Sequence, residues 1–344
     1  MENFYIIKIL FLTALSAIMA LLWTPLLTHF LYKYKLGKSI RNNGATPVFT
    51  ALHKAKEGTP TMGGLIVWVT VLIVALVFFY AAKFVDFYFF QQMNFLTRSQ
   101  TLLPLGCLVA AAVVGLFDDI LDVRGQGKGG MRMRQRIILY ALIAAAGALW
   151  FFYKLDWDLL HVPFVGNFQV GLWYVPIFIF IIVATAFSVN EIDGLDGLAG
   201  GTLLTAFGAY GVIAFVQGKY DLAAFCGVII GALVAFLWFN IKPARFIMGD
   251  TGAMSLGVTL GIIAMLTNQA LLLPIIGVLF VVESLSFLIQ VTSKKLRGKK
   301  VFLSSPIHHH LEAIGWPEYK IVMRFWLISG ASAVIGLILF LLDK

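Results

Sequence analysis

The chain has 344 residues, of which 60% are hydrophobic and only 12% are charged, and its formal net charge is +9. Soluble domains carry roughly 25% charged residues, so this composition excludes an ordinary soluble protein and predicts an all-α integral membrane protein. Cys107 and Cys226 lie inside apolar runs, which argues against a disulfide-stabilised fold.

Apolar segments recur along the whole chain, and a helix that crosses a bilayer needs about 20 mostly apolar residues. We predict ten such spans, at 4–31, 63–82, 101–117, 136–153, 172–189, 198–216, 222–239, 252–267, 271–292 and 322–342. The first exceeds the apolar core of a signal peptide and is expected to be a retained span. Pro274 and Gly277 predict a kink at the start of the ninth. The chain is expected to form a single polytopic domain, 1–344.

The positions of the basic residues predict an orientation. All but six of the 26 Lys and Arg residues lie in or beside the loops 32–62, 118–135, 240–251 and 293–321. The positive-inside rule puts these loops in the cytoplasm, and ten spans then put both termini on the outer face. Attraction to anionic lipid headgroups accounts for most of this charge, so nucleic acid is not an expected partner. In the outer segment 156–171, alternation around a Gly-Asn turn predicts a small hairpin.

The chemically unusual residues all fall in loops that are predicted to face the cytoplasm. Five loops contribute: KEGTPTMGG (56–64), DDILDVRGQGKGG (118–130), NEIDGLDGLAGG (190–201), NIKPARFIMGDTG (240–252) and SSPIHHHLEAIGW (304–316). Because loops on one face of a rigid scaffold can converge, we expect one site on this side of the membrane.

Carboxylates dominate three of these loops. One acid is enough to end a span, so the adjacent pair Asp118 and Asp119 indicates a function. Asn190, Asp193 and Asp196 are three residues apart and would share one face if the segment were helical.

Asp250 stands just before a span, where helix capping and metal binding are both consistent with the local sequence. The run His308 to His310 does not predict a zinc site, because consecutive side chains diverge and no cysteine lies near. Imidazoles that donate to a phosphate or carry a proton fit better, and at least one of the three can belong to a solvated loop. Together, the acids, basic residues and glycine-rich turns suit Mg²⁺ bound with phosphate oxygens, although the chain has no Walker A motif.

Five motifs resemble, in matching order, those of the polyprenyl-phosphate N-acetylhexosamine-1-phosphate transferases. They are TPTMGG (59–64), the Asp pair (118–119), NxxDGLDGLAGG (190–201), PAxxxMGDTG (243–252) and PIHHHLEAIGWPE (306–318). The resemblance extends from about residue 52 to the end of the chain. TPTMGG and PIHHH are typical of the branch that transfers phospho-MurNAc-pentapeptide, whereas relatives that transfer GlcNAc-1-phosphate share the Asp motifs.

This resemblance implies a reaction in the bacterial plasma membrane. Undecaprenyl phosphate would attack the β-phosphorus of UDP-MurNAc-pentapeptide, giving lipid I for peptidoglycan synthesis and releasing UMP, with Mg²⁺ as cofactor. The lipid bilayer is the expected surrounding, and a homodimer is the candidate assembly.

The resemblance also assigns roles to residues. Asp250 would bind Mg²⁺, with Asp118 and Asp119 beside the diphosphate, and Asp118 would orient or deprotonate the lipid phosphate. The substrate-binding set would be Lys56, Thr61, Lys128, Asn190, Asp193, Asp196 and Asn240. The histidine motif of the family would correspond to His308, His309 and His310, and the basic loop after the ninth span would lie near the lipid entrance.

Three positions depart from the family pattern. Asp122 stands where a lysine is usual, and Glu191-Ile192 replaces Leu-Thr. Ile247 stands where a phenylalanine usually stacks on uracil, with Phe246 beside it.

Three alternatives remain open from the sequence. A UDP-GlcNAc:polyprenyl-phosphate GlcNAc-1-phosphate transferase would share the Asp motifs. The letters DDILD match the DDxxD pattern of prenyltransferases, although DGLD (193–196) is only a partial second copy. An ion-coupled transporter would need ionisable groups near mid-bilayer, where Glu283 is the only acid clearly inside a span.

Overall fold

A computed structural model describes residues 2–37, 56–125 and 130–344. Thirteen helices and one two-stranded sheet are described in these ranges. They are α1 (Glu2–Lys33), α2 (Leu65–Phe84), α3 (Tyr88–Met93), α4 (Leu102–Arg124), α5 (Met133–Lys154), β1 (Leu159–Val162), β2 (Gly166–Gln169), α6 (Tyr174–Ile192), α7 (Leu198–Val216), α8 (Tyr220–Asn240), α9 (Gly249–Leu266), α10 (Leu273–Ile276), α11 (Val278–Arg297), α12 (Ile307–Ala313) and α13 (Glu318–Leu342). Short 3₁₀ turns precede α6 and α10.

Within the described ranges, nine helices are long and apolar enough to cross a membrane. A tenth candidate span joins Ala270–Ile276 to Val278–Arg297 across a bend of 82° at Gly277. The predicted all-α membrane architecture and the kink in the ninth span are therefore confirmed. The kink arises because the backbone between α10 and α11 leaves helical geometry at Gly277.

Helix α9 forms the centre of the bundle, and all of its residues are buried. It packs mainly against α4 and α6. Close approach depends on glycine: a Cβ on Gly115 of α4 would lie 2.3 Å from the carbonyl oxygen of Asp250. A Cβ on Gly64, just before α2, would lie 2.2 Å from the Cα of Gly252. Small residues at these crossings let the helix ends that carry the acids meet.

The predicted hairpin is confirmed by the antiparallel pairing of β1 with β2, from Leu159 opposite Gln169 to Val162 opposite Gly166. It lies against the end of α13, because His161 Nε2 is 2.5 Å from a carboxylate oxygen of Asp343. Both chain termini lie at this end of the bundle. Near the start of α1, the buried Lys8 forms an ion pair of 2.9 Å with Asp221 of α8.

Two local expectations are wrong. The third span does not end before Asp118, since α4 continues to Arg124 and buries Asp118, Asp119 and Asp122. Residues 118–124 include neither glycine nor proline, so no helix-breaking residue occurs before Gly125. The shared helical face of residues 190, 193 and 196 is also not formed, because α6 ends at Ile192 and the following turn directs the next two acids elsewhere.

Candidate active site

The predicted site residues of the described ranges converge at one end of the bundle, opposite the hairpin. This end collects the C-terminal ends of α4, α6 and α8 and the N-terminal ends of α5, α7, α9 and α13. Antiparallel packing alternates helix starts and ends at each face of a bundle, so motifs that are far apart in the chain become neighbours. The expectation that the conspicuous loops share one face is confirmed as a property of the fold.

Asp119 caps the N-terminus of α9. Its two carboxylate oxygens accept hydrogen bonds from the backbone N–H groups of Asp250 and Thr251, each at 3.0 Å. The hydroxyl of Thr61 donates to the same carboxylate at 3.2 Å. Both side chains are almost completely buried. A carboxylate at this position satisfies unpaired backbone donors and complements the helix dipole, so Asp119 fixes where α9 begins.

Asp118 and Asp250 share one cation, the guanidinium of Arg136. Nε of Arg136 lies 2.6 Å from Oδ2 of Asp118, and its Nη2 lies 2.9 Å from Oδ2 of Asp250. Oδ1 of Asp118 accepts the backbone N–H of Met131. Asp118 is completely buried, and Asp250 is nearly so. Because one guanidinium faces two carboxylates, the cluster of Asp118, Asp250 and Arg136 has an excess of negative charge.

Asn190 and Asp193 approach Asp250 from the end of α6. The side-chain amide of Asn190 donates to Asp250 at 2.5 Å, while its oxygen accepts from Arg136 at 3.1 Å. The carboxylate of Asp193 accepts the backbone N–H of Gly249 at 3.2 Å. Gly249 has a φ of +75°, which a side chain would strain.

A second ionic cluster lies beside the first and is electrically balanced. Lys56 pairs with Asp196 at 2.7 Å and with Glu318 of α13, and Lys242 pairs with Glu318 at 2.8 Å. The second oxygen of Asp196 accepts the backbone N–H of Ala244 at 3.2 Å. Burial favours the neutral amine of Lys56, but the attraction of Glu318 and Asp196 prevails and raises its pKa. Lys56 therefore stays charged at this rim of the site.

Asn240 holds the loop before α9. Its oxygen accepts the backbone N–H of Gly197 at 2.9 Å, and its amide donates to the carbonyl of Phe246 at 2.8 Å. Phe246 is fully buried and packs against the rings of Phe236 and Phe239. In this conformation Phe246 is a core residue, and its ring is not free to stack on a nucleobase.

The histidine motif reaches the site because the chain folds back after α11. Oε1 of Gln290 accepts the backbone N–H groups of Val301 and Phe302 at 2.9 and 3.0 Å. Ser293 donates to the carbonyl of Lys299 at 2.9 Å. These bonds return the chain along α11 and place the short helix α12 beside the loop that follows α6.

The three histidines differ in their surroundings. Nδ1 of His308 lies 2.9 Å from Oε2 of Glu283, and both side chains are fully buried. Nδ1 of His309 lies 2.8 Å from Oε2 of Glu312. Nδ1 of His310 instead accepts the backbone N–H of Leu303 at 3.3 Å and is only partly buried. The structure therefore brings His308 and His309 to the site and places His310 at its edge.

Comparisons with known proteins agree with this arrangement. A sequence profile of glycosyl transferase family 4 matches residues 101–268. The phospho-N-acetylmuramoyl-pentapeptide-transferase of Chloroflexus aggregans is 39% identical, over 97% of this chain and 90% of the relative. The enzymes of the same name from a Geobacillus species and from Bacillus anthracis are each 38% identical. These alignments cover 94% and 91% of this chain and 95% and 92% of the relatives.

The chain belongs to the phospho-N-acetylmuramoyl-pentapeptide-transferase family. The resemblance drawn from the five motifs is thereby confirmed, and the alignments extend it to nearly the whole chain. Membership of this family argues against the prenyltransferase interpretation of DDILD. In the structure, Asp119 of this pattern caps the N-terminus of α9.

The family resemblance implies Mg²⁺, and the residues around Arg136 fit a divalent cation. Within the described ranges, no three His, Cys, Asp or Glu side chains are arranged to hold a metal alone. Mg²⁺ commonly takes one or two carboxylates and completes its shell with water and substrate phosphates. The two carboxylates of Asp118 and Asp250 carry more negative charge than the single positive charge of Arg136 balances. Oδ2 of Asp118 is buried and is paired with Nε of Arg136 at 2.6 Å, so a divalent cation would replace this guanidinium as its partner.

Sequence reasoning missed two residues at this site, Arg136 and Glu318. Arg136 was counted only among the basic residues that flank a loop, and Glu318 only as the last letter of a motif. Neither spacing nor residue type distinguishes them, because their partners lie on other helices and loops: Asp118, Asn190 and Asp250 for Arg136, and Lys56 and Lys242 for Glu318. Lys128, which the resemblance assigns to the phosphates, lies outside the described residues.

Proposed function

We propose that this chain transfers phospho-MurNAc-pentapeptide from UDP-MurNAc-pentapeptide to undecaprenyl phosphate, forming lipid I and releasing UMP. The main support is that relatives at about 38% identity over most of the chain carry the transferase name. The convergence of Asp118, Arg136 and Asp250 supplies charged groups of the kind that phosphoryl transfer uses. Such reactions depend mainly on positioning and on electrostatic stabilisation of the phosphate charge.

We assign the roles in this reaction as follows. Asp118 and Asp250 would hold Mg²⁺, which would neutralise charge on the diphosphate of the donor substrate. Asp118, whose Oδ2 is paired with Nε of Arg136, would orient the acceptor phosphate or take its proton once Arg136 turns to a phosphate oxygen. Arg136 is a planar donor that can turn from the carboxylates to phosphate oxygens. Asp119 holds the start of α9, and with it the backbone of Asp250, in place.

The nucleotide end of the donor substrate would lie near the second ionic cluster. Lys56, Asp196 and the loop 190–201 form one wall of this region. Asn240 keeps that wall in place through its two backbone contacts. Because Phe246 is buried, uracil binding in this chain would rely on hydrogen bonds from this wall and on the partly exposed Ile247.

The polyprenyl chain would run along α11. A groove of about 440 Å³ is lined by Leu288, Ile289, Thr292, Leu296, Arg297 and Val301. Leu285 and Leu288 of α11 are about half exposed, whereas Glu283, Gln290 and Ser293 are buried. An apolar outer face that ends in Lys294, Lys295 and Arg297 suits a prenyl tail with an anionic head.

We further propose that the site end of the bundle faces the cytoplasm of a bacterial plasma membrane. Support comes from basic residues in the described parts of the basic loops, such as Lys56, Arg136 and Lys242, which lie at the end that carries the site. The start of α1 and the end of α13 lie at the other end. The chain acts as a single polytopic domain. A homodimer remains a prediction from the sequence.

The test is UMP release by the full-length chain, purified in detergent. Release should require UDP-MurNAc-pentapeptide, undecaprenyl phosphate and Mg²⁺ together, and EDTA should stop it. Asp250→Asn should lose Mg²⁺-dependent turnover while keeping its melting temperature in apo form. Turnover of UDP-GlcNAc in place of the MurNAc substrate would move the chain to the sister branch. UMP release without the lipid acceptor would overturn the proposal.

A further inference from the structure

Glu283 and His308 form a fully buried pair to which the proposed reaction has so far assigned no role. Both side chains have no exposed surface, and Nδ1 of His308 lies 2.9 Å from Oε2 of Glu283. A carboxylate accepts hydrogen bonds, so the proton of the imidazole sits on Nδ1 and points at Glu283. This arrangement fixes both the ring orientation and the tautomer of His308.

The other ring nitrogen is directed at the site. Nε2 of His308 is buried and has no hydrogen-bond partner among the described residues. It lies against the loop after α6, where a Cβ on Gly194 would be only 2.2 Å from it. Gly194 follows Asp193, whose carboxylate binds the backbone of Gly249 beside Asp250. A buried ring nitrogen without a partner is costly, and a ligand atom would supply the hydrogen bond that the described residues do not.

A purely structural role does not account for this pair. A carboxylate inside a span is costly, and Oε1 of Glu283 also lacks a hydrogen-bond partner within the described ranges. Two apolar side chains of similar volume would pack there without leaving buried polar atoms. The charge of Glu283 is therefore explained by what it does to the ring of His308.

We infer that Glu283 is a positioning residue, which orients His308 so that its unprotonated Nε2 accepts a hydrogen bond from a hydroxyl or amide group of the donor substrate. The inference rests on the proposed function. Glu283 keeps the proton on Nδ1 and prevents the ring from turning, as carboxylates behind catalytic or metal-bound histidines do. No covalent bond is made or broken in this step, because the ring supplies only a hydrogen-bond acceptor next to Gly194. The absence of a side chain at residue 194 leaves room for that contact.

The test is a double-mutant cycle with Glu283→Gln, His308→Asn and the double variant in full-length protein. Glutamine keeps the shape and an acceptor oxygen but loses the charge, so kcat for UMP release should fall about 10- to 100-fold with little change in KM. His308→Asn should lose at least as much. The double variant should be no slower than His308→Asn, because Glu283 acts only through the ring. Losses that multiply in the double variant, or a Glu283→Gln variant with wild-type kcat, would overturn the inference.

Asp221→Asn is the matched control, since it also removes a largely buried carboxylate from an ion pair, with Lys8 at the opposite end of the bundle. It should lower the melting temperature but leave kcat per folded molecule unchanged. If Glu283→Gln behaves in the same way, the pair is structural and the inference is wrong. An inactive wild-type chain would instead contradict the proposed function.

A second measurement does not depend on turnover. ¹⁵N NMR of the histidine-labelled full-length chain should show a ring with its proton on Nδ1 whose signal is absent in His308→Asn, which assigns that signal to His308. Glu283→Gln should change the tautomer signal of this ring. An unchanged signal would overturn the inference even if activity had fallen.

Discussion

The adjacent acids Asp118 and Asp119 should lose stability to different extents on the same substitution. Asp119 accepts two backbone N–H groups at 3.0 Å and the hydroxyl of Thr61 at 3.2 Å. In Asp119→Asn one oxygen becomes an NH₂ group, so one backbone donor of α9 loses its acceptor and faces another donor. A hydrogen bond to a charged group contributes about 1.5–3 kcal/mol, and a buried unpaired donor costs about 1–3 kcal/mol.

The sum for Asp119→Asn is a loss of about 2.5–6 kcal/mol. At about 2 °C per kcal/mol for a chain of this size, the melting temperature should fall by about 5–12 °C. Turnover should also be lost, because the backbone of Asp250 is no longer held. Asp118→Asn keeps an oxygen for the N–H of Met131 but turns an NH₂ group towards Nε of Arg136, while it also removes the excess negative charge around that guanidinium. Because these two effects oppose each other, its melting temperature should fall less than that of Asp119→Asn, although its activity should be lost.

A thiol-reactive fluorogenic dye can measure both melting temperatures in detergent. Cys107 and Cys226 are the two cysteines of the chain, and both are buried, so labelling reports unfolding with little background. The reasoning is refuted if Asp119→Asn melts within about 2 °C of the wild type. It is equally refuted if Asp118→Asn is the more destabilised of the two variants.

Three further predictions concern charge, packing and pH. Arg136→Gln leaves Asp118 and Asp250 without their shared cation, so Mg²⁺ should raise its melting temperature more than that of the wild type; an equal Mg²⁺ effect would contradict the assignment. Gly64→Ala should prevent folding, since its Cβ would lie 2.2 Å from the Cα of Gly252, whereas Gly106→Ala has open space and should be tolerated; yields of monodisperse protein on size exclusion compare the two. Burial lowers the pKa of Lys219 from 10.5 to about 8, so the unfolded chain binds more protons between these values and stability should rise over that pH interval. Lys219→Met should lack this rise when melting is followed by tryptophan fluorescence, and a rise that persists would assign it to another group.

Much of the architecture follows from one-dimensional patterns. Spans are predictable because a bilayer demands about 20 apolar residues and leaves no other way to satisfy the backbone. The bend at Gly277 and the hairpin at 159–169 follow from local backbone chemistry in the same way. Most residues that the structure brings together at the site were also predictable, since acids, amides and histidines beside apolar runs stand out by composition alone.

The errors in the prediction arise where an apolar run ends in polar residues. Hydropathy marks the end of the apolar stretch, whereas the helix that carries Asp118 and Asp119 continues to Arg124, next to Gly125. In the loop after α6, the spacing of Asn190, Asp193 and Asp196 predicts a shared face only if the segment is helical, and the helix ends at Ile192.

The sequence by itself determined that this is a helical membrane protein with acids and histidines gathered on the loops of one side. Only the tertiary structure decided which groups each acid contacts. Neighbouring residues on a helix point about 100° apart, so Asp119 meets the start of α9 while Asp118 meets Arg136. It also assigned Arg136 to two acids and Glu283 to His308. These pairings depend on which helix ends become neighbours in the bundle, and no local spacing in the chain encodes that.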